Sequence, residues 1–292
     1  QPLGPCHDTA MREKTDMSRA AVADAPNPFQ FTPRPPDWRL DWDGMAVAFP
    51  WLRALRNCPQ DPAWHREGDV LVHTRLVVEA LAAAPAWRAL PAEERETLFA
   101  AAVLHDVAKP ACLQADPAGR VSTRGHAGRG EVAARQILWR LGVPAARREA
   151  VCQLVRHHQV PFFAHRRADR VRLAILVSQT VRCDRLALLA EADARGHVCP
   201  DQAVLFEGIA AFREDATAQR CLDRPRAFAS DQARFLFCRD AAADPDADPA
   251  PPGPGRAILV CGLPGSGREA WLRETLENWP LVAQPDPLLT NG

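Results

Sequence analysis

The sequence carries no charge surplus of either sign. Its 292 residues hold 36 Lys plus Arg against 36 Asp plus Glu, a formal net charge of zero. No global positive field therefore exists to hold a polyanion, and any nucleic-acid binding has to use a local patch. The nine cysteines, at 6, 58, 112, 152, 183, 199, 221, 238 and 261, never form a CxxC pair and their number is odd. That argues against a zinc ribbon or a disulfide framework and fits reduced thiols in a cytoplasmic protein. No apolar run reaches the ~18 residues a membrane-spanning helix needs. The opening QPLGPCHDTA lacks the apolar centre of a secretory signal. The sequence begins at Gln1 and first shows methionine at Met11, which leaves a start at Met11, a start at Met17, or a fragment as readings.

What is present is ordinary globular material, 47% hydrophobic and 25% charged, and length alone suggests about two domains. Residues 1–37, rich in Pro, Asp, Ala and Thr, read as a loose lead-in. From Trp38 to about residue 238 the apolar spacing is helical throughout, which predicts an all-α bundle with no strand before residue 256. Asp69 is a candidate N-cap for VLVHTRLVVEALAAA. Pro91 with Glu93, Glu94 and Glu96 opens a helix through LFAAAVLHDVAK that stops at Pro110. GEVAARQILWRL ends at Gly142, a further helix opens at Pro144, and VRLAILVSQTVRCDRLALLAEADAR reads as one long helix to Gly196. DQAVLFEGIAAFREDA is again helical. Residues 239–255, RDAAADPDADPAPPGPG, are a linker. Beyond it, AILVC (257–261), GLPGSGRE and an apolar-periodic stretch read as strand, glycine-rich loop and helix, a partial P-loop segment over 256–292.

His105-Asp106 ends an apolar stretch, AAAVLHDVAKP. Ionisable side chains at the buried end of a helix are costly to desolvate, and a divalent cation offsets that cost. Adjacent helical residues point about 100° apart, so the pair can grip one or two ions from neighbouring directions. Lys109, four residues after His105, falls on the same face and can hold a phosphate oxygen beside the metal. His105, Asp106 and Lys109 are thus the candidate catalytic residues. The other candidate ligands sit at helix ends or in loops: His73, His126 in TRGHAGRG, His157 and His158, and Asp193. Several helix ends can converge on one cavity. Asp184 competes with Asp193, but the two lie roughly 180° apart on one helix; Asp193 is preferred. His65 is open to joining the site but reads first as an exposed loop residue, and His7, His165 and His197 read as solvated. Imidazoles with carboxylates suit Mn, Ni, Co, Zn, Fe or Mg. Such an ion generates hydroxide from water near neutral pH and polarises a phosphoryl oxygen, and Lys109, Arg124 and Arg129 can neutralise the remaining phosphate charge.

The order His73, His105-Asp106, His126, His157-His158, Asp193 resembles the HD phosphohydrolase superfamily. NCPQDPAWHREGDVLVHTRLVVEAL followed by AAVLHDVAKP looks like the HD domain of bacterial CCA-adding enzymes. With RGHAGRGEVAARQILWRLGVP, LVRHHQVPFF, LLAEADARG and ARFLFCR ahead of GLPGSG, it looks still more like the bacterial HD–polynucleotide kinase fusion, over about Leu40 to Leu276. The nucleotidyltransferase head of a CCA-adding enzyme has no counterpart. The resemblance implies an enzyme that removes a 2′- or 3′-phosphate, or opens a 2′,3′-cyclic phosphate, at an RNA end. It also implies a second module that phosphorylates a 5′-hydroxyl with ATP and Mg. Two alternatives stay open: an HD nucleotidase acting on mononucleotides or signalling nucleotides, and a non-catalytic nucleotide- or RNA-binding remnant.

Gly262, Gly265, Ser266, Gly267 and Arg268 are the candidate nucleotide-binding positions, but Arg268 stands where the phosphate-cradling loop has lysine and Glu269 where it has Ser or Thr. Only 25 residues (268–292) follow Gly267, and the last of them supply just Asp286 as a carboxylate for Mg. That is too short for the rest of a kinase, so a truncated or degenerate module is expected, with anion binding by backbone N–H groups still open.

Overall fold

A computed structural model describes residues 26–117, 119–249, 258–263 and 265–276. His7, Ala257, Asp286 and most of the lead-in lie outside the described residues. The helices form where capping chemistry supports the apolar spacing. Asp69 accepts the Val72 N–H at 2.9 Å and opens α1, Val70–Ala83. Pro91 precedes α2, Ala92–Leu104, whose first turn holds Glu93 and Glu94 where negative charge suits the unpaired N–H groups. Then come α3 (His126–Arg140), α4 (Ala145–His157), α5 (Arg170–Ser178), α6 (Cys183–Gly196) and α7 (Gln202–Ala218). One-turn segments at Pro50–Arg53, Pro85–Arg88, Lys109–Cys112 and Val160–Phe163 each carry a proline in the first turn, where its missing N–H costs nothing.

α1 packs on α6 and α2, α2 also packs on α4, α3 lies along α4, and α7 covers α6 and the Val160–Phe163 turn. The middle layer is α2, whose stretch from Leu98 to Leu104 is buried at every position. Alanines at 100, 101 and 102 let its neighbours approach from all sides, while Trp87, Phe99, Leu138 and Phe212 fill the larger gaps. Each such large side chain contributes about 1.5–3 kcal/mol by leaving water. Two glycines set close approaches that matter for the site. A Cβ at Gly130 would lie 3.1 Å from Val155 Cγ1 and 3.5 Å from the His105 carbonyl; one at Gly196 would lie 2.5 Å from Val77 Cγ2. Their lack of side chain brings α3 to the end of α2 and the end of α6 to α1.

The structure departs from the expected elements in several places. α2 ends at Leu104, so His105 and Asp106 sit in the following turn, not inside a helix running to Pro110. His105 Nδ1 takes the Ala102 carbonyl at 2.7 Å, the acceptor that a continuing helix would offer to the Asp106 N–H. The long helix to Gly196 is two helices, α5 and α6. Ser178 donates to the Ile175 carbonyl at 2.7 Å and accepts the Arg226 N–H at 3.1 Å, which ends α5 through side-chain bonds that periodicity does not show. A short antiparallel pairing, Gln114–Ala115 (β1) with Val121–Ser122 (β2), stands where no strand was expected. Two residues per strand leave no alternation to read. Part of the lead-in is built in: Pro28–Phe31 forms a 3-10 turn capped by Asn27, and buried Phe29 lies 3.7 Å under the Arg147 guanidinium.

The chain divides into two compact units between Ala227 and Phe228, inside the stretch expected to continue to 238. In the second unit α8 spans Asp231–Arg239 and residues 240–249 hold no regular element, as a linker would. The expected strand at 257–261 is not formed over its described residues 258–261. Leu259 is 89% exposed, and a strand has nothing to gain without a neighbouring strand to bond. A helix does follow the glycines, α9, Arg268–Thr275. Among the described residues no helix is long and apolar enough to cross a membrane, and the cysteines are free thiols.

Candidate metal centre

Five helix ends meet at one buried point. His73 comes from the first turn of α1, His105 and Asp106 from the turn after α2, His126 from the first residue of α3, His158 from the residue after α4, and Asp193 from the last turn of α6. All six are buried. Asp106 lies between two sets of nitrogens. Its Oδ1 is 3.3 Å from His126 Nε2 and 3.8 Å from His158 Nε2. Its Oδ2 is 3.1 Å from His105 Nε2 and 3.8 Å from His73 Nε2. Asp193 Oδ1 closes the second side, 3.1 Å from His73 Nε2 and 3.9 Å from His105 Nε2.

The backbone decides which ring nitrogen carries hydrogen. His105, His126 and His158 each place Nδ1 within 2.7–2.8 Å of a carbonyl, those of Ala102, Thr123 and Val155. A carbonyl only accepts, so Nδ1 is the donor and Nε2 keeps its lone pair toward the centre. Burial pushes His126 down and His158 down to about 3, the second also disfavoured by neighbouring His105, so both rings are neutral at pH 7. His126 Nε2 and His158 Nε2 then face each other at 3.4 Å as two acceptors, with Asp106 Oδ1 as a third. Both Asp106 oxygens and His105 Nε2 are buried without a properly formed hydrogen bond. Such a set is strongly repulsive unless a cation joins it, and these donors fit one: His73, His105 and Asp106 form one triad, Asp106, His126 and His158 another, with Asp106 common to both.

Around this set the charges are arranged in favour of the anions. Burial works against the Asp106 carboxylate, yet the Lys109 ammonium beside it helps hold its pKa well below the usual range. Asp193 is likewise held low against burial by its contact with His73. His73 is the exception among the imidazoles: burial opposes its charge, but Asp193 on one side and Glu67 Oε1, 2.9 Å from Nδ1, on the other raise it to about 9. Lys109 Nζ sits 2.7 Å from both Asp106 Oδ2 and Gln60 Oε1. It begins a new turn, Lys109–Cys112, which replaces the shared helix face expected from its spacing to His105.

Not every predicted residue joins. His157, adjacent to His158, turns its ring to Thr180 Oγ1 at 3.5 Å and stands outside both triads, because consecutive helical residues point in different directions. Asp184, in the first turn of α6, pairs with Arg182 and Arg185 at 2.8 and 3.0 Å. Arg124 and Arg129 are exposed, and Arg129 donates to the Ala111 carbonyl at 2.9 Å, bracing the Lys109 turn. His165 is half-buried rather than solvated. Two histidines expected in solvent belong to the site's edge. His197 is buried, with Nδ1 2.8 Å from the Asp193 carbonyl; standing four residues after Asp193, it shares that helical face, a signal present in the spacing. His65 packs on His73 and His197 with ring centroids 4.7 and 4.3 Å away. It shares with His73 the carboxylate of Glu67, whose side chain is 2% exposed. Glu67 was invisible to spacing because its place depends on how the loop before α1 folds.

A cleft of about 200 Å³ opens onto the centre through His126, Lys109, His197 and His65, with Trp64, Phe162 and Phe163 among its walls. The glycine-rich candidates are arranged differently. Gly265, Ser266 and Gly267 form an exposed turn before α9, and Arg268 pairs with its neighbour Glu269 at 3.1 Å.

Residues 70–194 match the family described as HD domain. The chain is also similar to two curated proteins named Multifunctional CCA protein. That of Xanthomonas axonopodis pv. citri (strain 306) is 30% identical over 187 residues, 61% of this chain and 42% of the relative. That of Halorhodospira halophila (strain DSM 244 / SL1) is 36% identical over 122 residues, 42% of this chain and 26% of the relative. The chain thus spans less than half the length of the curated relatives it matches.

Proposed function

We propose that this chain, which carries an HD domain across residues 70–194, is a metal-dependent phosphohydrolase. The reading rests on one observation above the rest: His126 Nε2, His158 Nε2 and Asp106 Oδ1 face one another as neutral and anionic acceptors with no donor among them. His126, His158 and Asp106 would hold one ion, and His73, His105, Asp193 and the second Asp106 oxygen would hold the same ion or another. When bound, a divalent cation supplies hydroxide near neutral pH and draws charge from a phosphoryl oxygen. Lys109, which lines the cleft and donates to Gln60 Oε1 at 2.7 Å, would hold a second phosphoryl oxygen. Arg124, exposed and next in sequence to the cleft-lining Thr123, would meet the phosphate from outside. In the net reaction water's oxygen joins phosphorus, the ester P–O bond breaks, and the leaving oxygen takes a proton.

The substrate we favour is a 2′- or 3′-phosphate, or a 2′,3′-cyclic phosphate, on an RNA end or nucleotide in the cytoplasm. The resemblance to HD–polynucleotide kinase fusions and the likeness to the two CCA proteins support it. The glycine-rich segment is read as a degenerate module without kinase activity in this chain, its Lys and Ser/Thr positions being Arg268 and Glu269. The cleft's small volume favours a second reading, a nucleotidase acting on mononucleotides or signalling nucleotides. The test is phosphate release from nucleoside 2′- and 3′-monophosphates, 2′,3′-cyclic nucleotides, alarmones and phosphorylated RNA ends, each with Mn, Ni, Co, Zn, Fe or Mg. Release that a chelator abolishes is expected. No release from any substrate by metal-loaded protein sinks the proposal.

A further inference from the structure

The cleft has an apolar side that metal and phosphate chemistry leaves unused. Phe163 is 40% exposed and lines the cleft, with Trp64 and Phe162 also in its walls. A single exposed phenylalanine on a protein surface needs no explanation. This one stands at the entrance to a polar, metal-ligating pocket, five residues after His158. Its neighbour Phe162 is 3% exposed, ring centroids 6.0 Å away and edge-on at 80°, which anchors the turn that carries Phe163. The backbone of that turn is pressed against α7, where a Cβ on Gly208 would lie 2.4 Å from the Phe162 carbonyl. Phe163 is therefore held at a set distance from His158 and not on a free loop. The Arg166 guanidinium carbon lies over one face of the Phe163 ring, 5.9 Å from its centre, which leaves the opposite face for a second ring.

We propose that Phe163 is the stacking platform of a nucleobase subsite at the mouth of the cleft. The proposal rests on the phosphohydrolase reading and adds to it the group that recognises the base of the nucleotide substrate. Size argues for this placement. Pockets that enclose an organic ligand measure roughly 300–1,000 Å³, whereas this one measures about 200 Å³. A phosphate and its sugar take up much of that space, which favours a ring system lying toward the opening, against the aromatic residues that line it. Stacking on an aromatic face suits any base, because every base has a π-face. Selection is then for the presence of a ring and not for its sequence identity.

The test compares Phe163→Ala and Phe163→Trp with the unaltered full chain in two measurements. In the first, calorimetry with chelator present compares binding of adenosine 3′-monophosphate with binding of inorganic phosphate. In the second, with the metal that supports hydrolysis, KM is compared for adenosine 3′-monophosphate and for glycerol phosphate, which has no ring. Phe163→Ala should weaken nucleotide binding and raise its KM about tenfold, leave phosphate and glycerol phosphate unchanged, and leave kcat unchanged; Phe163→Trp should restore both. Unchanged nucleotide binding in Phe163→Ala, equal losses for ringed and ringless ligands, or no nucleotide binding at millimolar concentration overturns the proposal. If the unaltered chain hydrolyses nothing with any metal but still prefers nucleotide through Phe163, the phosphohydrolase reading fails and the subsite stands.

Discussion

The histidine cluster and the glycine-rich turn are both places where helix ends present polar groups, and they differ in what water can do for them. In the cluster, six ionisable side chains from α1 to α6 are buried, with Nε2 facing Nε2 and carboxylate oxygens left without a formed hydrogen bond. In the turn, Gly265, Ser266 and Gly267 are exposed, and Arg268 satisfies itself on Glu269. Solvent can serve every group in the second place and none in the first. Buried acceptors crowded against one another, with Asp106 Oδ1 facing two imidazole lone pairs, are physical evidence for a cation; a phosphate-loop pattern on an exposed turn is not evidence for a ligand.

The sharpest way to break this comparison is to remove the residue common to both triads. Asp106→Asn keeps the shape and deletes the bridging charge. It should lower phosphate release by more than about 10³-fold, since a bound metal contributes several kcal/mol to the transition state. Bound metal, measured by elemental mass spectrometry, should drop with it, while circular dichroism shows the helices intact. Activity within tenfold of the unaltered chain would mean the cluster is structural.

A smaller effect is expected one shell out. Glu67 Oε1 lies 2.9 Å from His73 Nδ1 as an ion-pair contact, and its other oxygen takes the Val198 N–H at 2.9 Å. Glu67→Gln should weaken metal affinity about 10–100-fold, the usual cost of losing a carboxylate behind a ligating imidazole. A competition titration with a chromogenic chelator measures it. An unchanged affinity would show that His73 is not a ligand or needs no orienting partner.

His73 also predicts a pH dependence. Its pKa in the metal-free protein is raised from 6.5 to about 9, burial being outweighed by Asp193 and Glu67. The protonated ring therefore stabilises the metal-free fold fully below pH 6.5, and this contribution is lost as pH rises through about 9. A metal has to displace that proton, so its apparent affinity should climb about tenfold per pH unit between 7 and 9 and then level off. His126 and His158, pushed down by burial, are already neutral in this range and add no slope. Proton release on metal binding, followed in two buffers of different ionisation enthalpy, checks the number; no release at pH 7.5 contradicts the His73 assignment.

How much of this was legible in the sequence follows the range of the interactions. Caps act over three or four residues, so Asp69 and the prolines at 91 and 144 announced their helices correctly. Breaks made by side chains did not show: Ser178 binding Ile175 and Arg226 splits a stretch whose apolar spacing is unbroken. At the centre, His73, His105, Asp106, His126, His158 and Asp193 were chosen by their order and helix-end positions, and the fold gathers all six. His157 was carried along by adjacency to His158, where direction rather than position decides. His197 had a readable signal in its spacing from Asp193, but His65 and Glu67 meet His73 through a loop whose path no local rule supplies. The glycine pattern describes a local turn and says nothing about flanking strands; over the described residues 258–261 the expected strand is not formed.

The smallest expected effect tests the other half of the comparison. Gly267 has φ +81° and stands directly before α9. Alanine there adopts the left-handed region at a cost of order 1 kcal/mol or more, and Arg268→Ala removes the ion pair with Glu269. An isolated helix of eight residues is marginal in water without packing, so Gly267→Ala should reduce helix content around α9, whereas Arg268→Ala, which takes a cation off the helix start and adds a better helix former, should not. Neither should alter phosphate release beyond about twofold, because surface substitutions away from a site stay within roughly 0.5 kcal/mol. The measurement is the rate of hydrolysis with and without added ATP. A fall of tenfold or more in either variant, or a rate that ATP changes in the unaltered chain and not in the variants, would show that the turn binds a ligand that acts on the metal centre. The contrast between the buried cluster and the solvated turn would then describe two halves of one device.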